Sequence, residues 1–454
     1  MKKLTARETV FVGSMLFGMF FGAGNLIFPV SMGQMAGSDM IQAAAGFLIT
    51  GVGLPLLAVA ALGISREESL LELSSRVGKR YGLFFTCALY LTIGPFFAIP
   101  RCATVSFESG IQGMVPGVGP TGGLAVFSFL FFAAVLFFSL RPGQILTWIG
   151  KVLNPLFLLF LGVLIVSALL SPMGVVREMA PQGNYASDAF LTGLLEGYNT
   201  MDALAGLAFG IVIVDVLRGL GVKEPGSIAR DTVRAGLLSS ILMALIYFFV
   251  TVVGAQSRGL TGISENGGEA LSRIAVHYFG SAGDIILAVT VTVACLKTAV
   301  GLITSCGETF VKIFPKGPSY RVWAVIFCGL SFLIANLGLN AIIAYSQPVL
   351  MFLYPLAVTL IVLTLCARFF GADRRVYLWT TVFTAAGAVF DLIRALPDGM
   401  SVKVLLSGVT ETAGRLLPFS EQGFGWVCPA VFGLAVGCAV RKLQGKTGRD
   451  ARGI

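Results

Sequence analysis

Twelve stretches of about twenty apolar residues follow one another along this chain, roughly at 10–33, 41–64, 81–108, 122–140, 148–170, 190–217, 235–255, 285–307, 321–339, 341–366, 376–396 and 423–440. A hydrocarbon layer about 30 Å thick takes about 20 helical residues to cross, so each stretch reads as a membrane span. Of the 454 residues, 56% are apolar and 12% charged, about half the charge of a soluble domain. Lipid offers the backbone no hydrogen-bond partners, and an α-helix closes its own. The expected class is an all-α polytopic membrane protein with twelve transmembrane helices.

A net charge of +9 would fit nucleic acid if it formed a patch. Its placement argues for topology instead. The two ends and the even-numbered loops hold 24 of the 32 basic residues. The opposite loops hold six: Arg177, Arg258, Arg273, Arg394, Lys403 and Arg415. By the positive-inside rule both termini are cytoplasmic. The first span is too long for a signal h-region and has no convincing cleavage site, so it is expected to stay. The eight Cys lie mostly within spans and form no C-x-x-C, as small buried apolar residues would. The single His, His277, reads as a solvated loop residue and leaves no basis for a histidine metal centre.

Span 1 is interrupted near its middle by Gly22-Ala23-Gly24-Asn25. Gly costs about 1 kcal/mol against Ala in a helix interior. Backbone groups freed at that depth must face protein, a ligand or a water-filled cavity. Packing against another helix through Gly18-x-x-x-Gly22 is the plainer reading of the motif taken alone. Span 6 carries a second interruption, Glu196-Gly-Tyr198-Asn199-Thr200-Met201-Asp202, with cap-forming residues that fit a helix restart near Thr200. Spans 1 and 6 are five apart and so enter the membrane from opposite faces. Two five-helix halves then become inverted copies, with spans 11 and 12 added, and paired interruptions mark a transporter's binding site. A half-helix N-terminus suits a carboxylate, and a half-helix C-terminus suits a cation or an ammonium. A zwitterionic amino acid answers both.

The stretch Gly22-Ala-Gly-Asn-Leu-Ile-Phe-Pro29 resembles the first-helix signature of the bacterial branched-chain amino acid:cation symporter family, the BrnQ type. Pro95-Phe-Phe-Ala-Ile-Pro-Arg-Cys-Ala-Thr-Val-Ser-Phe-Glu108 is similar to its third helix, Thr200-Met-Asp-Ala-Leu to its sixth, and Ala294-Cys-Leu with Thr298-Ala-Val-Gly-Leu302 to its eighth. Later blocks, Asn336-Leu-Gly-Leu, Pro348-Val-Leu and Leu417-Pro, extend the resemblance from about residue 5 to 440. It implies uptake of leucine, isoleucine and valine with sodium or a proton across the bacterial inner membrane. It implies no other cofactor and no required protein partner. The family is similar in turn to the amino acid–polyamine–cation superfamily, whose LeuT-like fold is the 5+5 inverted repeat with broken helices 1 and 6. The expected division is a cytoplasmic N-terminus 1–9, a first repeat 10–170, an extracellular linker 171–189, a second repeat 190–366, helices 11 and 12 at 367–440, and a basic cytoplasmic tail 441–454.

The expected substrate residues are Gly22, Ala23, Gly24, Asn25, Tyr198, Asn199, Thr200, Met201 and Asp202. The coupling-ion candidates are Asn25, Thr200, Asp202, Ala294, Lys297 and Thr298, with sodium suited to the oxygens of Asn25, Thr200, Asp202 and Thr298. Asn25 and Asp202 also read as helix caps. Arg101 and Glu108, seven residues apart, read as an ion pair across two turns. Lys297 stands where the family usually has an apolar residue. Its ammonium must pair, lose its proton or face water, and the open readings are a pair with an acid such as Asp202, a cavity-lining Lys with no coupling role, or an ammonium that occupies or perturbs a sodium position. A rival substrate is another apolar or aromatic small molecule. A polytopic membrane enzyme is a remote alternative, because the acids are scattered.

Overall fold

Thr5 starts the first helix. Its Oγ1 accepts from Glu8 N at 3.2 Å while Glu8 Oε2 accepts from Thr5 N at 2.8 Å, the reciprocal cap that settles two of the free N–H groups at a helix start. The helix Ala6–Phe20 ends at an extended Phe21, and a second helix, Gly24–Ala36, completes span 1. The computed structural model describes residues 4–22, 24–65, 67, 69–112, 120–141, 144–222, 224–398 and 400–450.

Each of the twelve apolar windows falls on helix. Span 2 is Met40–Leu48, a π-helical turn Ile49–Gly53 and Leu54–Ser65; span 3 runs over Lys79–Ile111; spans 4 and 5 are Pro120–Leu140 and Gln144–Leu170. Span 6 is Ala189–Glu196, a 3-10 turn Gly197–Thr200 and Asp202–Gly219. Span 7 is Pro225–Thr261, and span 8 is the later part of Gly267–Ile313. Spans 9 to 12 are Tyr320–Ala335, Leu339–Leu365, Arg374–Arg394 and Val427–Asp450.

The described ends of the chain lie on one face, where the end of span 2 joins them: a Cβ on Gly63 would stand 3.4 Å from Thr232 Oγ1, and Arg76 Nη2 donates to Ser65 O. Leu4 N donates to Asp231 Oδ2 near the start of span 7, Arg374 at the start of span 11 donates to Val77 O ahead of span 3, and Arg441 in span 12 donates to Phe369 O.

The two halves exchange partners as inverted copies must. Span 1 packs along span 7, and span 6 packs along span 2. If spans 1 and 2 correspond to spans 6 and 7, these two contacts are the same contact. Each is made through glycine. A Cβ on Gly33 would sit 2.1 Å from Thr251 O, and one on Gly254 2.3 Å from Val30 O. A Cβ on Gly46 would sit 2.0 Å from Phe190 O, and one on Gly193 2.0 Å from Ala43 O. Small residues let membrane helices approach backbone to backbone. Gly33→Ala is therefore expected to lower unfolding stability in detergent by about 1–3 kcal/mol through overpacking. Gly329→Ala, where a Cβ has nothing within 4 Å, serves as control, and equal unfolding midpoints for the two variants would refute the close approach.

Four local features go beyond straight spans joined by loops. Much of the outer loop at 258–284 is helical: Asn266 Oδ1 accepts from Gly268 N and Glu269 N and starts a helix that turns into span 8 at Gly280, whose φ of 61° suits glycine. His277 sits exposed on that helix. Span 10 is unbroken, with Pro348 and Pro355 inside one helix, because each proline removes a single N–H and the flanking turns still close. Span 3 instead is kinked, at a π-helical turn Thr92–Phe96 where Gly94 leaves helical geometry and Pro95 follows. The helix of span 12 runs on into the basic tail as far as Asp450.

Candidate functional site

The interruption of span 6 has a defined mechanism. Thr200 Oγ1 donates to Gly197 O at 2.9 Å and accepts from Asp202 N at 3.3 Å. Met201 between them has φ 61°, a left-handed conformation uncommon outside glycine and asparagine. The helix restarts at Asp202, not at Thr200. Asp202 is thus the first helical residue, where the positive end of the half-helix favours a carboxylate.

Its side chain leaves its own helix. Asp202 Oδ2 accepts from Asn25 Nδ2 at 2.6 Å and from the Tyr247 hydroxyl at 3.1 Å. Asn25 Nδ2 also donates to the Tyr247 hydroxyl oxygen, and Asn25 Oδ1 accepts from Gly22 N at 3.0 Å. Neither Asn25 nor Asp202 is an N-cap, then: both side chains join spans 1, 6 and 7 at one buried point. Exposures of 2% for Asn25, 3% for Asp202 and 1% for Tyr247 remove competing bulk water. The sequence does not single out Tyr247. It lies in an uninterrupted apolar run, and only the packing of span 7 on span 1 reveals it.

One cavity connects the two interruptions. Gly22, Gly24, Asn25, Thr200, Met201, Asp202 and Thr298 line it, together with Met19, Ala205, Phe209, Arg101 and Cys102. Met19, Ala205 and Phe209 lie beyond the breaks toward the terminal face and are half-buried. The opposite end is tied shut. Arg258 Nη1 donates to Gln34 O and Ala180 O, and Asn266 Nδ2 donates to Glu108 Oε2 at 2.6 Å and Asn340 Oδ1 at 3.3 Å. The cavity therefore faces the side that carries both chain ends.

Other foreseen residues fall elsewhere. Tyr198 stacks on Tyr354 with ring centroids 4.0 Å apart, and Asn199 presents its carbonyl to Arg101; both sit behind the cavity wall. Ala23 lies outside the described residues. On span 8, Thr298 Oγ1 donates to Ala294 O at 3.1 Å, and a Cβ on Gly22 would stand 3.7 Å from that hydroxyl oxygen. Span 8 thus brings a hydroxyl to the break of span 1.

Two expected pairings do not occur. Lys297 is half-buried one residue from Thr298, outside the cavity lining, and it makes no ion pair with Asp202, whose oxygen is held by Asn25 and Tyr247. One residue is about 100° around a helix, so Thr298 faces the cavity and Lys297 does not. Arg101 and Glu108 do not pair either. A π-helical turn over Phe107–Ile111 carries Glu108 toward Asn266, while Arg101 bonds span 6.

The chain as a whole is similar to known proteins along nearly its full length. Over 436 residues the chain is 53% identical to the branched-chain amino acid permease BrnQ of Lactobacillus delbrueckii subsp. lactis, covering 96% of this chain and 97% of that one. It is 41% identical over 446 residues to BrnQ of Bacillus subtilis, covering 98% and 99%. Among solved structures, Mhp1, a nucleobase-cation-symport-1 family transporter with bromovinylhydantoin bound, superposes with a TM-score of 0.59 at 15% identity over 97% of this chain and 93% of its own. MhsT in complex with L-phenylalanine gives 0.53 at 16% identity over 98% and 99%. These two share the LeuT-like fold. The family model described as branched-chain amino acid transport protein matches residues 5–444, and the chain belongs to that family.

Proposed function

We propose that this chain imports leucine, isoleucine and valine together with a cation by alternating access across the bacterial inner membrane, with both termini cytoplasmic. The observation that carries the reading is the meeting of both helix interruptions at one cavity, where Asn25 and Asp202 join across spans 1, 6 and 7. Half-helix ends of both polarities there fit the two charges of an amino acid. Apolar neighbours such as Met19, Phe20 and Leu302 fit an aliphatic side chain. The basic residues on the terminal face support the orientation, and the cavity then opens inward.

Two oxygen clusters are proposed for the coupling ion. Asn25, Thr200 and Asp202, with Tyr247, form one. Thr298 and the backbone around Gly22 and Ala294 form the other. Lys297, set apart from both, is assigned no pairing with Asp202. The work needs no covalent step, so no catalytic group is assigned.

Labelled leucine uptake into proteoliposomes, with sodium and proton gradients imposed separately, tests the reading. One gradient alone is expected to drive accumulation, and unlabelled isoleucine and valine are expected to compete while phenylalanine and nucleobases do not. Accumulation under neither gradient would overturn the substrate assignment.

A further inference from the structure

A cation buried in mid-membrane is expensive unless it meets an opposite charge or water. Arg101 is 2% exposed, the only Lys or Arg among the described residues to be so deeply buried. Among the described residues no carboxylate lies within 4 Å of it. Glu108 is taken by Asn266, and Glu196, on the outer half of span 6, attracts the guanidinium through space without forming an ion pair with it. The guanidinium instead meets neutral groups. Nη1 donates to Asn199 O at 2.6 Å, Nη2 donates to Ser346 Oγ at 3.2 Å, and the group lies 4.9 Å over the Phe28 ring. Its Nε has no partner. A guanidinium carries five N–H donors, so this one retains donors that no described carboxylate meets directly, with Glu196 attracting it only through space.

Its position says what answers it. Arg101 lines the cavity beside Gly24. A Cβ on Gly24 would stand 3.6 Å from Arg101 Nη1 and 3.3 Å from the Phe28 ring. Gly24 also begins the half-helix Gly24–Ala36, whose first N–H groups and positive dipole end point the same way. Two independent sources of positive potential converge on one spot of the wall. Asp202, the negative group of the cavity, lies with Asn25 and Tyr247 and shares no hydrogen bond with Arg101.

We propose that Arg101 receives the α-carboxylate of the transported amino acid and sets the requirement for that charge. This rests on the amino-acid reading above. Guanidinium–carboxylate contacts are among the stronger hydrogen-bonded pairs. A site built around one rejects analogues that lack the acceptor far better than an apolar pocket rejects a missing methylene. Leucine and leucinamide share the side chain and the amine and differ only at the carboxyl group.

The test compares leucine and leucinamide as inhibitors of labelled leucine uptake by the full-length protein and by Arg101→Gln and Arg101→Lys. The unaltered protein is expected to prefer leucine at least 100-fold. In Arg101→Gln that ratio is expected to collapse toward 1, because leucine weakens while leucinamide does not. Arg101→Lys, which keeps a charge but loses the planar fork, is expected to fall between and decides the matter if Arg101→Gln does not fold. If Arg101 only ties span 3 to spans 6 and 10, both compounds weaken together and the ratio stays, which overturns the proposal. Equal inhibition of the unaltered protein by the two compounds also overturns it. Failure of the unaltered protein to take up leucine at all would instead defeat the amino-acid reading.

Discussion

Asp202→Asn is expected to abolish concentrative leucine uptake while leaving a folded protein that still exchanges leucine between equilibrated compartments. The amide has the carboxylate's shape. With its oxygen at the present Oδ2 position it still accepts from Asn25 Nδ2 and from the Tyr247 hydroxyl, as the carboxylate does at 2.6 and 3.1 Å. Packing at this 3% exposed site is therefore kept, and the change removes charge alone. A unit charge about 4 Å from a cation contributes about 4 kcal/mol at an effective dielectric of about 20, roughly a thousand-fold in cation affinity. The loss applies to a sodium ion held by the carboxylate and to a proton carried on it alike. Accumulation under the driving gradient, measured against exchange without a gradient, separates the roles. Lost accumulation with retained exchange assigns Asp202 to the coupling cation. Loss of exchange as well would move it to the substrate ammonium. Accumulation equal to that of the unaltered protein would remove it from both.

The sequence shows this site unevenly, and the reason is range. The interruptions at Gly22–Asn25 and Gly197–Asp202 are legible because glycine and polar residues stand out in an apolar window, and spans of about 20 residues are set by bilayer thickness. What those residues touch is set by packing. Tyr247 reaches Asn25 across 222 positions, and nothing near it in the chain marks it. The seven-residue spacing of Arg101 and Glu108 implies one face only on a straight α-helix, and the π-helical turn at Phe107–Ile111 breaks that premise. The kink at Gly94–Pro95 lies in the same span, where glycine and proline adjoin, and it was a readable signal. The helix that begins after Asn266 was also readable, from a cap residue followed by Glu269 three positions on. Lys297 shows the finest limit. The sequence places it at the depth of Thr298, but depth does not say which of the two faces the cavity.

Asn25→Ala is expected to lose uptake altogether, for a reason different from Asp202→Asn. Asn25 makes three contacts to three elements: Gly22 N in the break of span 1, Asp202 Oδ2 on span 6 and the Tyr247 hydroxyl on span 7. Truncation leaves the Gly22 N–H unmatched beside the cavity and the carboxylate with Tyr247 as its remaining hydroxyl donor. Hydrogen bonds to a charged group are worth about 1.5–3 kcal/mol each and neutral ones about 1 kcal/mol, so a combined cost near 3 kcal/mol or more is expected. The break would no longer hold one geometry, and both leucine exchange and accumulation would fall below detection. Tyr247→Phe removes a single donor from the same oxygen and is expected to keep exchange with weaker cation dependence. Because Asn25 and Tyr247 bond each other and share Asp202, their effects on stability in detergent are not expected to add. A double-mutant cycle by chemical unfolding reads the coupling directly, and contacts of this kind give about 0.5–3 kcal/mol. Additive losses would mean that the three side chains do not act as one cluster, and the cation site built on them would fall with it.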